Sequence, residues 1–221
     1  MDLSKSLEFF NPGTVEEDLH IIGLGSVGFC VAELLARFGL KRMHLYDFDT
    51  VESHNIVNQM YTTEDLWKPK IEQAAKYLKA INPDIELTMH PEGWQGERLS
   101  GYVFLCVDNI DLRRKIVLDN HYNTTIKGVF DFRTAMTSCQ HYAANWKKME
   151  DRNILLERMD FTHEEAMEAV PMSACHVPLC VAPTVRMVAN MGVCNFINFV
   201  KGKPLHRALV ADAFSFMIES I

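Results

Sequence analysis

The chain has 221 residues, with 22 Lys and Arg against 29 Asp and Glu, a net charge of -7, and 48% apolar residues. That composition describes one sizeable globular domain and excludes a disordered chain. No basic run reads as a nucleic-acid arm, no apolar run reaches the ~20 residues that span a bilayer, and the mixed polar start at residues 1–13 does not read as a signal peptide. The expectation is a cytoplasmic protein with neither nucleic acid nor membrane as partner.

In chain order, Asn11-Pro12-Gly13 is a turn signal, and residues 18–23 form a first short apolar strand. Val27, Val31, Leu34, Leu35 and Phe38 recur at helical spacing, and Gly39 stands where a helix stops. Residues 41–47 give a second strand. Residues 50–67 have no clean period and are long for a connection, which suggests a functional loop. Pro69 opens a helix that Asn82-Pro83 ends, and residues 85–89 form a short strand. Residues 102–107 are almost continuously apolar, as in a strand buried on both faces of a parallel sheet. A helix over 110–118 and strands over 125–130 and 140–146 follow. Residues 149–168 are polar and partly helical. Residues 183–200 are apolar nearly all round and read as a buried helix. The run 208–217 alternates as one terminal strand. The fold class is therefore α/β: a Rossmann-like, doubly wound, mostly parallel sheet with helices on both faces and C-terminal antiparallel strands. One domain, 1–221, is the economical division, with an N-terminal segment (1–17), a nucleotide-binding half (18–135) and a C-terminal half (136–221).

Chemistry gathers at three strand ends. Gly23-Leu24-Gly25-Ser26-Val27-Gly28 is G-x-G-x-x-G between a strand and a helix, where glycines allow close backbone approach to a phosphate at a helix N-terminus. Asp47-Phe48-Asp49 ends the second strand, where such folds set a carboxylate on a ribose. Asp108-Asn109 ends the third. Ligands bind outside the carboxyl ends of strands in open α/β sheets, so the three motifs are expected to share one crevice. The glycine loop with Asp47 also suits an NAD-dependent oxidoreductase. That reading leaves Asn55, Gln59, Lys70 and Asp108 without a role. Asn109 can equally cap the helix beginning at Ile110, and Asp49 reads better as a turn former than as a ligand.

The ordered set Asp47-Phe48-Asp49-Thr50-Val51, Asn55, Gln59, Lys70 at a helix start, and Cys106-Val107-Asp108-Asn109 with Arg113 resembles the ThiF/MoeB/HesA family, bacterial relatives of ubiquitin-activating enzymes. The segment through Arg133, Ala182-Pro183 and Ala211-Asp212-Ala213 extends the resemblance along nearly the whole chain. It implies an adenylyltransferase that uses ATP and Mg²⁺ to activate a carboxylate, foremost the C-terminus of a small ubiquitin-like or sulfur-carrier protein, and a homodimer in which the helix at 183–200 takes part. It further implies that Gly23, Gly25, Ser26 and Gly28 cradle the nucleotide and that Asp47 holds the ribose. Asn55 and Lys70 would reach the phosphates and Asp108 would bind Mg²⁺. Asp49, Gln59, Asn109 and Arg113 would complete the cofactor corner, Arg113 as a support.

Three departures stand out. Asn58 occupies the place of the family's usual Arg, with Arg133 or Lys68 as replacement cations. No N-terminal arginine segment is visible, Lys5 being the one early cation. The paired C-x-x-C motifs are missing, so no structural zinc is expected. Asn58 and the absent arginine leave open a weakly catalytic nucleotide- or protein-binding module. Of the six cysteines, Cys175-His176 with Cys180 falls short of four zinc ligands. Cys139, Cys175 and Cys180 are candidates for a covalent intermediate. His20, His44 and His54 show no chemical partner in the sequence.

Overall fold

The computed structural model describes residues 1–168, 170–173 and 179–220. Cys175 and His176 lie outside the described residues. The elements in order are β1 (Leu19–Ile22), α1 (Ser26–Arg37), β2 (Arg42–Tyr46), α2 (Lys70–Ile81), β3 (Glu86–His90), β4 (Gly101–Leu105), α3 (Ile110–Asp119), β5 (Ile126–Thr134), β6 (Ser138–Asn145), α4 (Met149–Glu157), α5 (His163–Glu168), α6 (Ala182–Val200), β7 (Ala208–Asp212) and β8 (Met217–Ser220). They build one eight-stranded sheet in the order β3-β2-β1-β4-β5-β6-β7-β8. Strands β3 to β5 pair in parallel, and β5 to β8 pair antiparallel. The expected α/β class with C-terminal antiparallel strands is the one observed.

Strand β1 sits in the middle of the parallel half, and all four of its residues are buried. Its side chains alternate between two cores, as a two-residue period demands. Leu19 and Ile21 face a cluster made with Val31 and Leu35 of α1, Ala74 and Leu78 of α2, and Val188 and Phe196 of α6. Ile22 faces the opposite cluster with Ile116 and Val117 of α3, Leu155 of α4, and Trp94, Leu99 and Trp146. Helix α1 ends on Gly39 at φ +86°, which donates to Ala36 O while Leu40 donates to Leu35 O, the paired bonds of a glycine stop. Helix α6 lies between α1 and the strands β5 and β6, and shows solvent only a stripe through Pro183, Arg186, Asn190 and Cys194. No described helix is long and apolar enough to cross a membrane.

Two sequence expectations are corrected here. The strand expected at 125–130 runs on to Thr134, because its antiparallel partner β6 carries the pairing to Thr134 opposite Cys139. The single strand expected over 208–217 is a hairpin. Asp212 Oδ1 accepts from the N–H groups of Phe214 (3.0 Å) and Ser215 (2.8 Å), and the chain reverses through Phe216 at φ +59° into β8. His20 and His44, read as lacking partners, face each other across β1 and β2 with ring centroids 4.5 Å apart. Their pairing depends on parallel register between distant segments, which neither residue's local sequence carries.

Candidate nucleotide site

The carboxyl ends of β1, β2 and β4 are adjacent, so the glycine loop, the Asp47 turn and the Asp108 turn lie side by side at one end of the sheet. Gly23 holds φ +92°, and a Cβ there would meet the backbone of Cys106 and Val107, 2.9 Å from Val107 N. A Cβ on Gly28 would run into the Gly23 carbonyl and lie 3.0 Å from Cys106 Cβ. Gly25 is different, since nothing lies within 4 Å of where its Cβ would sit. Gly25 is also the N-cap of α1 and supplies no side-chain acceptor, so the N–H groups of the first turn are left for a ligand. Ser26 begins that turn.

Asp47 is buried, and its carboxylate is locked from two sides. Oδ2 accepts from Leu24 N (2.6 Å) inside the glycine loop, and Oδ1 accepts from Asp49 N (2.9 Å). Burial pushes this carboxyl up from its ordinary value, and the two N–H groups and Lys70 offset only part of that. Lys70 opens α2 and is 6% exposed, yet its ammonium reaches Asp49 Oδ2 at 2.8 Å. Lys70 N also donates to Asp49 O (2.9 Å), so the helix start and the strand end are bound together. Tyr61 buttresses the same corner. Its hydroxyl donates to Leu24 O at 2.8 Å and lies 3.3 Å from Lys70 O. Sequence reading missed Tyr61, whose only signal was an aromatic inside a polar loop.

The loop at 50–67 holds two short 3-10 turns, Ser53–Val57 and Thr63–Asp65. Asn55 is buried in the first turn, and its Oδ1 accepts from Glu52 N (2.9 Å). Gln59 Oε1 is buried with no hydrogen-bond partner. A buried amide oxygen without a donor is costly, and a bound group that donates to it would remove the cost. The open space at Gly25 and this orphan oxygen both fit a nucleotide. Asn58 donates to Cys180 O at 3.0 Å, so its amide is tied to the segment before α6.

Asp108 is exposed, and its carboxylate has no hydrogen bond or ion pair among the described residues. An uncommitted carboxylate of this kind suits Mg²⁺, which keeps several waters and takes one or two protein oxygens. Asn109 caps α3 by accepting from Leu112 N (2.9 Å). Arg113 faces inward. It donates to Val107 O, to Asp131 Oδ1 (2.6 Å) and to Phe132 O, so it braces the Asp108 turn from behind and points no donor at a ligand. Burial by itself would raise Asp131, but the Arg113 and Arg133 guanidiniums outweigh it and hold the carboxyl low.

Both candidate replacement cations are partly engaged, and Arg133 Nη2 is buried without a hydrogen-bond partner among the described residues. Arg133 pairs with Asp131 Oδ2 (2.7 Å) and lies over Tyr142, and Lys68 donates to Glu64 O (2.6 Å). Arg186 of α6 is a cation that sequence reading did not single out. It donates to the Cys30 thiol, whose own S–H reaches Ser26 O (2.9 Å) at the start of α1. Cys139 is buried, and burial pushes its thiol up to about 11, which disfavours the thiolate.

A family model described as the ThiF family matches residues 16–221. The chain belongs to the ThiF family. Among curated ThiF relatives, ubiquitin-like modifier-activating enzyme 5 of Drosophila willistoni is 26% identical over 191 residues, 81% of this chain and 44% of that protein. Its counterpart in Drosophila simulans is 33% identical over 119 residues, 46% of this chain and 30% of that one. The chain thus spans less than half the length of these relatives. Among solved structures, PaaA superposes with a TM-score of 0.73 at 16% identity, over 95% of this chain and 65% of that one. Escherichia coli MccB determined with ATP gives 0.68 at 16% identity, over 95% and 65%. At that identity the likeness is one of fold.

Proposed function

We propose that this chain is an ATP-dependent adenylyltransferase acting on a carboxylate, foremost the C-terminus of a small ubiquitin-like or sulfur-carrier protein or peptide. The observation that carries the proposal is the locked corner in which Asp47 grips the glycine loop while buried Lys70 opens α2 beside it. The names of the relatives, a ubiquitin-like modifier-activating enzyme and an MccB structure holding ATP, support the same reading.

The reaction brings anion against anion. A carboxylate oxygen attacks the α-phosphorus, the bond to the bridging oxygen breaks, and pyrophosphate leaves with that electron pair. The chain's task is to position both partners and neutralise charge. Asp47, fixed by Leu24 and Asp49, would accept from the ribose hydroxyls. The first-turn N–H groups around Gly25, Ser26 and Gly28 would receive phosphate oxygens. Lys70 would exchange Asp49 for a phosphate oxygen, and Asn55 would offer its amide N–H to the same group. Gln59 Oε1 would take a donor from the nucleotide. Asp108 would hold Mg²⁺, which supplies charge neutralisation when bound. Asn109 and Arg113 serve by fixing the turn that presents Asp108. The reading includes the family's homodimer, which light scattering tests directly.

Pyrophosphate exchange with Mg²⁺ and a carrier encoded beside this gene tests the proposal, with Asp108→Ala in parallel. Exchange that needs the carrier and is lost in the variant supports it. One observation favours a second reading: Asn58 brings no cation to the phosphate end and already spends its amide on Cys180 O. ATP that raises the melting temperature without exchange would establish that nucleotide-binding module. NAD binding in place of ATP would overturn both readings.

A further inference from the structure

A second cluster of chemistry lies at the other end of β1, on the sheet face away from α1. We infer that Asp18, His20 and His44 form a binding site for a divalent transition cation of the zinc class. One oxygen or nitrogen from each of these residues lies within 4.8 Å of the others, without any ion present. The residues reach one point because Asp18 precedes β1 and because His20 and His44 are register partners in β1 and β2.

The ring nitrogens are sorted as a metal site requires. His20 Nδ1 is engaged by the Tyr46 hydroxyl at 2.9 Å, and His44 Nδ1 by His90 Nε2 at 3.2 Å. That leaves Nε2 of each ring to ligate. A ligating histidine uses its second nitrogen in this way, and the partner fixes its tautomer. The chain of partners continues outward, since His90 Nδ1 lies 3.8 Å from Glu97 Oε1, a buried oxygen with no hydrogen bond of its own. Glu97, His90 and His44 thus form a carboxylate–histidine series aimed at the cluster. No such series is needed to stabilise a strand, and stacked imidazoles with an orphaned carboxylate oxygen behind them are poor core material.

The competing contacts are weak or compatible. His44 Nε2 stands 3.9 Å from Asp18 Oδ1, against about 3.4 Å between ligands about 2.1 Å from a tetrahedral zinc. The three ligand atoms lie within 4.8 Å of one another, so closure is a movement of about an ångström. His20 Nε2 faces Ser100 N at 3.4 Å, a long bond that a cation would replace, and Ser100 Oγ lies 3.4 Å from Asp18 Oδ2. Arg42 holds Asp18 Oδ1 at 2.6 Å, which leaves Oδ2 to the cation and orients the carboxylate as outer partners of ligands do. Three protein ligands leave a fourth position for water or a small ligand. His44 and Asp18 are about a quarter exposed, so a cation has access.

Titration of the full chain, stripped with chelator, by zinc chloride and by cobalt chloride in excess Mg²⁺ tests the site. The expected result is one equivalent bound, a cobalt spectrum of nitrogen and oxygen ligands, and loss of that equivalent in His44→Ala. His90→Ala should weaken it by about 10–100-fold while leaving the ligands in place. ATP binding should be unchanged in both variants, which separates this site from the nucleotide crevice. Absence of stoichiometric binding, retention of it in His44→Ala, or a thiolate charge-transfer band from the cysteines would overturn the inference. Should His44→Ala fold poorly, Asp18→Asn carries the same expectation.

Discussion

The ammonium of Lys70 rests 2.8 Å from the carboxylate of Asp49, with the lysine buried and the aspartate half exposed. A buried cation is thereby held at the mouth of the crevice by a partner that water already solvates in part. A phosphate can take that partner's place without leaving a bare charge inside the protein. Lys70→Met should reduce pyrophosphate exchange by about 10²–10³-fold, the scale for removing one positioned electrostatic group. Because Asp49 is half exposed, Asp49→Asn should cost less than about 1 kcal/mol in urea denaturation.

Gly25 and Gly28 separate binding from folding. Gly25→Ala places a methyl in open space, so its thermal midpoint should stay within about 2 °C of the parent. Its affinity for ATP should nonetheless fall at least about tenfold, because the methyl occupies the phosphate's approach. Gly28→Ala drives into the Gly23 carbonyl and should destabilise the fold by about 2 kcal/mol or more. Differential scanning fluorimetry with and without ATP distinguishes the two outcomes.

Arg113 and Asp131 form a buried pair, with Arg133 on the second carboxylate oxygen. Arg113→Met removes one guanidinium and leaves the carboxylate buried with a single partner. Loss of about 3–5 kcal/mol is expected in chemical denaturation. The sign with pH follows from Asp131 being held below its unfolded value. Its contribution is present above the unfolded pKa near 4 and lost as pH falls through the lower folded value. Arg113→Met should therefore flatten the acid limb of the stability profile.

His141 is fully buried, and its ring is satisfied as a neutral species. Nδ1 donates to Asp131 O (3.0 Å), and Nε2 accepts from Asn195 Nδ2 (3.2 Å). Burial lowers its pKa from 6.5 to about 4. A depressed folded value contributes stability that is complete above pH 6.5 and lost as pH falls toward 4. The loss over that window is about 3 kcal/mol from this one ring. Comparing pH-dependent urea midpoints of the parent and His141→Gln should show a slope smaller by that amount, whatever the variant's stability at pH 7.

Local signals made most of the fold legible. The periods of α1 and α2, the glycine stop at Gly39 and the Asn82-Pro83 break are properties of adjacent residues. The unbroken apolar run of β4 likewise states its own burial. The terminal hairpin was hidden because Asp212 turns the chain through side-chain bonds that alternation does not encode. At the crevice, the glycine loop and Asp47 were visible as a motif. Tyr61 and Arg186 were not, since each acts through a backbone or thiol brought near from another segment. The imidazole cluster escaped for the same reason. Two histidines 24 positions apart become neighbours only when parallel strands adopt their register.

The floor of the glycine loop consists of residues made long after it. Gly23 and Gly28 rest on the backbone and side chain of Cys106, and β1 is paired on one side by β2 and on the other by β4. A growing chain that has emerged only as far as β3 therefore owns every residue of the loop, Asp47 and Lys70, but has no wall beneath them. The proposed nucleotide site is therefore complete only once Cys106 has been delivered and docked. A contact between segments so far apart in sequence is slow to form. During synthesis, a nucleotide bound at the proposed site would stabilise this half of the chain only once that contact has closed.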